Sequence, residues 1–198
     1  GTLTRPTSEG SSQFPVWTPD GKRIVYRATR GGFRNLFWRA ADGTEVEERL
    51  TTGENPQTPR SWSPDRKWLA FDDASPTTGN DIWTLRGEGE RPQEEAPKPQ
   101  PFLRTAFSEN QSAFSPDGHW LAYQSNESGR GEVYVQPFPG PGRKWQISTD
   151  GGQQPVWARN GRELFYTIGS KMMVVEITTS PTFNAGKPRQ LFEGNYLT

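Results

Sequence analysis

Ala113-Phe114-Ser115-Pro116-Asp117-Gly118-His119-Trp120-Leu121-Ala122-Tyr123 is the stretch that decides the fold, because the chain carries it four times. The sister copies are Val16-Trp17-Thr18-Pro19-Asp20-Gly21-Lys22-Arg23-Ile24-Val25-Tyr26, Ser61-Trp62-Ser63-Pro64-Asp65-Arg66-Lys67-Trp68-Leu69-Ala70-Phe71 and the degenerate Val156-Trp157-Ala158-Arg159-Asn160-Gly161-Arg162-Glu163-Leu164-Phe165-Tyr166. Proline presets φ, aspartate bonds nearby amides and glycine accepts a positive φ, so each phrase reads as a tight turn between two antiparallel strands. Pro19, Pro64, Pro116 and Arg159 are spaced by 45, 52 and 43 residues. That period suits one four-stranded blade per repeat, arranged radially as a β-propeller.

Working outward, each hairpin is followed by a polar loop and a third strand, at Asn35–Trp38, Asp81–Thr84, Glu132–Val135 and Lys171–Val175. Weaker alternation marks outer strands at Glu48–Thr51, Phe102–Thr105, Lys144–Ser148 and Arg189–Phe192, as befits a blade edge. No stretch shows helical apolar spacing, so no helix is expected. The expected fold class is all-β, a propeller of four-stranded antiparallel blades at residues 11–55, 56–107, 108–150 and 151–198, all one domain. Residues 1–10 read as the remnant outer strand of a preceding blade, since Thr2-Leu3-Thr4-Arg5 resembles Arg49-Leu50-Thr51-Thr52 and Phe102-Leu103-Arg104-Thr105. The extra length of the second repeat, Arg86 to Pro101, is rich in proline and charge and reads as a solvated excursion.

With 23 basic and 23 acidic side chains, the chain has no net charge to draw nucleic acid or an anionic membrane surface. Only 30% of residues are hydrophobic, but eight Trp, eleven Phe and five Tyr concentrate the core in large aromatics. No cysteine is present, which excludes a disulfide framework and thiolate catalysis. No apolar run spans a bilayer and no charged, apolar leader is seen, so neither membrane insertion nor an export signal is expected of this segment.

Candidate chemistry is sparse. His119, the sole histidine, falls on a turn that faces water, and no Gly-x-Ser-x-Gly elbow accompanies it, so nucleophilic hydrolysis is not expected. Asp20, Asp65 and Asp117 recur with the turn and belong to folding. Asp72, Asp73 and Asp81 could gather oxygen ligands for calcium, but they lack the order of a dedicated calcium loop. A solvated loop with a structural capping role is the competing reading, and no cofactor is expected. Gln13, Gln57, Asn110, Gln111, Gln153 and Gln154 lead the inner strands and should line the propeller axis, where amides donate and accept. They would hold a peptide or a sugar, or simply water. Trp38, Trp83 and Tyr134 should pack between blades. Val135 to Gly142, with Phe138 among three prolines, reads either as a stiff outer loop or as a docking surface.

At these residues the chain resembles the TolB-like propeller family, whose blades repeat Ser-Pro-Asp-Gly followed by a Leu/Ile-Ala-Tyr/Phe strand. More narrowly, Ser115 to Arg130, Glu132 to Gly140 and Lys144 to Gly152 resemble the C-terminal propellers of bacterial serine/threonine protein kinases. The resemblance implies an interaction or sensor module of a larger bacterial protein, outside the cytoplasm, with a protein or small molecule as partner. No kinase element is found in the chain itself. Such propellers are usually six-bladed, so the four blades are expected to belong to a larger ring or to self-associate through their terminal blades. The alternative is the propeller portion of a hydrolase, lactonase-like or gating a serine peptidase, with its chemistry in other domains or on an axial metal.

Overall fold

The computed structural model describes residues 11–87 and 98–194, and these form strands without helix. Blade 1 is β1 (Ser12–Trp17), β2 (Arg23–Arg30), β3 (Phe33–Ala40) and β4 (Glu48–Arg49). Blade 2 is β5 (Gln57–Trp62), β6 (Trp68–Ser75), β7 (Gly79–Arg86) and β8 (Gln100–Leu103). Blade 3 is β9 (Glu109–Phe114), β10 (Trp120–Ser125), β11 (Glu132–Pro137) and β12 (Trp145–Gln146). Blade 4 is β13 (Gln153–Trp157), β14 (Glu163–Ile168) and β15 (Lys171–Thr178), with β16 (Asn184–Ala185) and β17 (Arg189–Glu193) sharing the outer position along β15. Consecutive strands pair antiparallel, and the first strands of successive blades lie side by side. The outer strands fall where their alternation placed them, shortened to two residues in β4 and β12. The expected remnant strand at 1–10 and most of the proline-rich excursion lie outside the described residues.

The turns share one hydrogen-bonded device. The Thr18 hydroxyl donates to Asp20 Oδ1 (2.7 Å) and accepts the Arg23 amide (3.0 Å). Ser63 does the same with Asp65 (2.6 Å) and Trp68 (2.9 Å), and Ser115 with Asp117 (2.5 Å) and Trp120 (3.0 Å). The aspartate also accepts an amide two residues on, from Lys22, Lys67 or His119. Blade 4 has Ala158 in place of the hydroxyl residue, and keeps the Arg162 amide on Asn160 Oδ1 (2.9 Å) and the two backbone closures, Gly161 to Ala158 (2.9 Å) and Ala158 to Glu163 (2.9 Å). Where Gly21, Gly118 and Gly161 take φ of 68°, 74° and 69°, blade 2 places Arg66 at 64°, at a cost of about 1 kcal/mol. His119 is exposed on its turn.

Strand alternation then gives every blade two apolar faces. Leu69, Phe71 and Leu85 of blade 2 pack on Val25, Leu36, Trp38 and Leu50 of blade 1. Leu121 and Tyr123 of blade 3 meet Ala70 and Ile82 of blade 2, and Leu164 and Tyr166 of blade 4 meet Ala122, Val133 and Val135 of blade 3. Trp38 and Tyr134 are buried between blades, and Trp83 packs against the first of these clusters, as expected of third-strand aromatics. Phe138 corrects the reading of its proline-flanked segment. It is neither a free outer loop nor a docking surface but is buried at the blade 2 to blade 3 seam, edge-on to Phe114 (4.7 Å) and Trp68 (5.8 Å). A bend at Phe138-Pro139, directly after β11, delivers the ring into the seam.

Ala158→Ser restores the missing hydroxyl, which can accept the Glu163 amide and donate to Asn160. A gain of about 1 kcal/mol is expected, read as a raised urea midpoint at unchanged m-value.

Candidate functional site: the inner-strand cleft

All four inner strands break register at the same place. Two residues, Phe14-Pro15, Pro59-Arg60, Gln111-Ser112 and Gln154-Pro155, stand opposite a single second-strand aromatic, Tyr26, Phe71, Tyr123 and Tyr166. These are β-bulges, which bend a strand and re-aim its side chains. The first bulge residue is left-handed in three blades, with φ of 56° at Phe14, 56° at Gln111 and 54° at Gln154. In the second blade Pro59 occupies the position, and its ring forbids that conformation. Three side chains are thus held in a strained backbone state, each at about 1–2 kcal/mol, at the edge that faces the axis.

The bulges are tied together across blades. The Gln154 amide donates to Gln111 Oε1 (2.7 Å), the Gln111 amide donates to Asp72 Oδ2 (3.4 Å), and Arg60 Nε donates to the same oxygen (2.6 Å). On the blade 1 side, Arg27 lies over the Phe14 ring at 4.5 Å, donates to Thr58 Oγ1 (3.2 Å) and bonds the Gln13 side chain. Burial, and then the charges of Arg34 and Arg60, pull the Arg27 guanidinium below its usual range. A cleft of about 630 Å³ opens along this edge. Its walls include Arg60, Trp62, Gln111, Gln154, Val156 and Arg159, with Pro19, Pro64 and Pro116 at the turns and no carboxylate in the lining. A larger cleft, about 860 Å³, lies between the turns of blades 1 and 2. Two ion pairs cross its lining, Arg23 with Glu45 and Arg66 with Asp20.

The sequence-predicted residues divide. Gln111 and Gln154 are on the cleft, and Gln13 is exposed beside Arg27. Gln57 is not available to a ligand. It is buried, donating to Asp73 (3.0 Å) and accepting from Asn35 (3.2 Å) and Thr51. Asn110 and Gln153 are half-buried, precede the bulge and pair with Gln124 and Thr167 of the second strands, outside the cleft lining. Arg60 and Arg159 were missed as site residues. The signal for Arg159 was present, since it replaces the turn proline.

The aspartates do not gather as calcium ligands, nor do they sit in a solvated loop. All three are buried on strands. Asp72 and Asp73 are neighbours on β6 and point to opposite faces, the first to Arg60 and the second to Asn55 (2.6 Å) and Gln57. Asp81 accepts the Thr78 hydroxyl (2.9 Å) and lies 3.8 Å from Arg104. Its counterparts Asn35 and Glu132 bond the segment that leads into the next blade, through Gly53 O (2.7 Å) and the Gly151 amide (2.9 Å). Burial raises the carboxyls of Asp81 and Glu109. No cluster of three or more His, Cys, Asp or Glu side chains suited to a metal occurs among the described residues.

No known family profile matches the chain. The uncharacterized protein Atu1656 of Agrobacterium fabrum is 33% identical over 181 residues, which takes in 84% of this chain and 58% of that protein. The chain thus spans less than two thirds of the curated relative it matches. Among solved structures, a protein of Agrobacterium tumefaciens assigned as TolB aligns with a TM-score of 0.71 at 15% identity, covering 89% of this chain and 63% of the other. TolB of Acinetobacter baumannii gives 0.70 at 17%, covering 94% and 45%. A puromycin-hydrolyzing peptidase of Mycobacterium tuberculosis gives 0.64 at 13%, covering 93% and 31%. At these identities the likeness is one of fold, and the fold is a β-propeller.

Burial pushes the Asp72 carboxyl up to about 6, against the Arg60 guanidinium and the Gln111 amide, which pull it down. A carboxyl raised in the folded state stabilises the fold when protonated. Its contribution is complete below the unfolded value of about 4 and is lost as pH rises through about 6, a swing of about 3 kcal/mol. Urea midpoints should therefore fall more across that window in the native protein than in Asp72→Asn.

Proposed function

We propose that this chain is a non-catalytic interaction module of a larger bacterial protein, holding an extended segment of a partner on the inner-strand cleft. The observation that carries the reading is the bulge. Three blades keep a non-glycine residue in left-handed φ at one position, two of them glutamines whose side chains line the cleft. Strain of this kind persists only where surrounding structure enforces it, and it clusters where chains bind. An extended segment laid along the cleft would meet amide donors and acceptors at intervals, with Trp62 and Val156 as apolar floor. The serine/threonine-kinase setting, and with it a position outside the cytoplasm, rests on the motif likeness at Ser115 to Gly152.

The competing reading, a propeller portion of a hydrolase, draws on the same fold occurring in a peptidase. It would place the chemistry in other domains and leave the cleft as a passage. The two readings part on affinity, because a passage has no reason to retain what it passes.

Random-sequence peptides selected on the immobilised chain should protect the amides of Gln111 to Phe114 and those of Gln154, Val156 and Trp157 from hydrogen exchange. Protection confined to the outer strands would sink the axial reading.

A further inference from the structure

The fourth turn departs from the repeat in a way the fold does not need. Pro19, Pro64 and Pro116 preset the turn in the first three blades, and the fourth forms the same backbone closure with Arg159 in the proline position. Proline there would restrict the unfolded chain and stabilise the turn, so the arginine is carried at a cost. Its side chain is exposed on the cleft wall and makes no ion pair or hydrogen bond among the described residues.

Arg60, the second bulge residue of blade 2, lines the same cleft about a quarter exposed, at 27%. Asp72 is the carboxylate it pairs with among the described residues, almost wholly buried and with Oδ1 lacking a hydrogen-bond partner. Arg27, beside the inner strand of blade 1, feels the charges of Arg60 and Arg34. A chain with equal numbers of acidic and basic residues thus concentrates guanidinium at one concave surface.

We propose that the cleft recognises an acidic, extended peptide segment, with a ligand carboxylate held by Arg60 and Arg159 and its aliphatic or proline neighbours on Trp62 and Val156. The proposal rests on the peptide-binding reading above and names its chemistry. Guanidinium is suited to the task because its planar donors match a carboxylate, and charge-assisted bonds are about twice as strong as neutral ones. Amides from Gln111 and Gln154 would serve the peptide backbone.

The test uses two short synthetic peptides of Pro, Val and Glu, one with every Glu changed to Gln, binding followed by fluorescence anisotropy. The Glu peptide should bind about ten- to a hundredfold tighter than its Gln counterpart, and the difference should shrink with added salt. Arg159→Pro should abolish most of that difference while melting at the same or a higher temperature, since it restores the repeat. The double variant Arg60→Gln with Asp72→Asn removes the second guanidinium without stranding the buried carboxylate, and should weaken the Glu peptide alone. Equal binding of both peptides would overturn the acidic preference and leave the peptide reading standing. Binding of neither would overturn both. Free glutarate binding as tightly as the Glu peptide would place a small dicarboxylate here and overturn the proposal, as would Arg159→Pro retaining the preference.

Discussion

The hydrogen-bonded turn closing each inner hairpin holds the register on which the rest of the molecule depends; in blade 4 it does so with Ala158 in place of the hydroxyl residue, through the backbone bonds from Ala158 to Glu163 and from Gly161 to Ala158. By donating to the aspartate and accepting the amide five residues on, Thr18, Ser63 and Ser115 close their hairpins at one length. A slip of one residue would send every side chain to the opposite face. With the register held, Leu69 and Phe71, Leu121 and Tyr123, and Leu164 and Tyr166 all meet the preceding blade. The residues between them, Ala70 and Ala122, meet the following one. At the second and third seams large side chains thus press onto alanine, which lets the sheets approach closely, while the first seam packs large residues on both sides.

The same register explains why strain can be tolerated at the axis. Each bulge lies opposite a buried second-strand aromatic, and Tyr123 and Tyr166 are each only 1% exposed. Straightening the inner strand would shift that ring out of its seam, a loss of several kcal/mol for a large aromatic against about 1–2 for one left-handed residue. The seam therefore over-determines the bulge. What the bulge then presents is free to vary between blades, and it does: Phe14, Pro59, Gln111 and Gln154. A bulge kept at one place with different side chains is how a repeat protein builds an asymmetric surface from a symmetric frame.

The architecture was legible because its signals are local. Turn chemistry and two-residue alternation are written in contiguous residues, and all four inner hairpins follow them. The bulge was not, since no glycine marks it and the residues that adopt positive φ there are not those that favour it. Reading every leading amide of the inner strands as axial puts Gln57 there and passes over Arg60, whereas the bulge decides which of these residues reach the cleft. Phe138 was misread for a different reason. Its prolines suggest an extended backbone, but the chain bends at Phe138-Pro139 directly after β11, and the ring's place is decided by a seam formed with residues far away in sequence, Trp68 and Phe102.

The terminal blades show what a neighbour contributes. Phe114 and Trp157 occupy one position in the repeat and are 8% and 9% exposed against the blade before them, whereas Trp17 at the same position is 56% exposed. Blade 1 compensates with polar cover. Glu47 accepts the Tyr26 hydroxyl (2.5 Å) and pairs with Arg30 (2.9 Å), whose guanidinium lies over Phe37 at 5.5 Å, so Tyr26, Ala28 and Phe37 stay buried on that face. Blade 4 has no such arm among the described residues. It carries Phe165 where blades 2 and 3 carry alanine, and Val156 and Leu191 stand 58% and 39% exposed. A large residue at the position that faces a following blade fits a sheet that meets either water or a differently shaped partner. Alanine faces the following blade in blades 2 and 3, whereas blade 1 carries Val25 at that position and blade 4 carries Phe165.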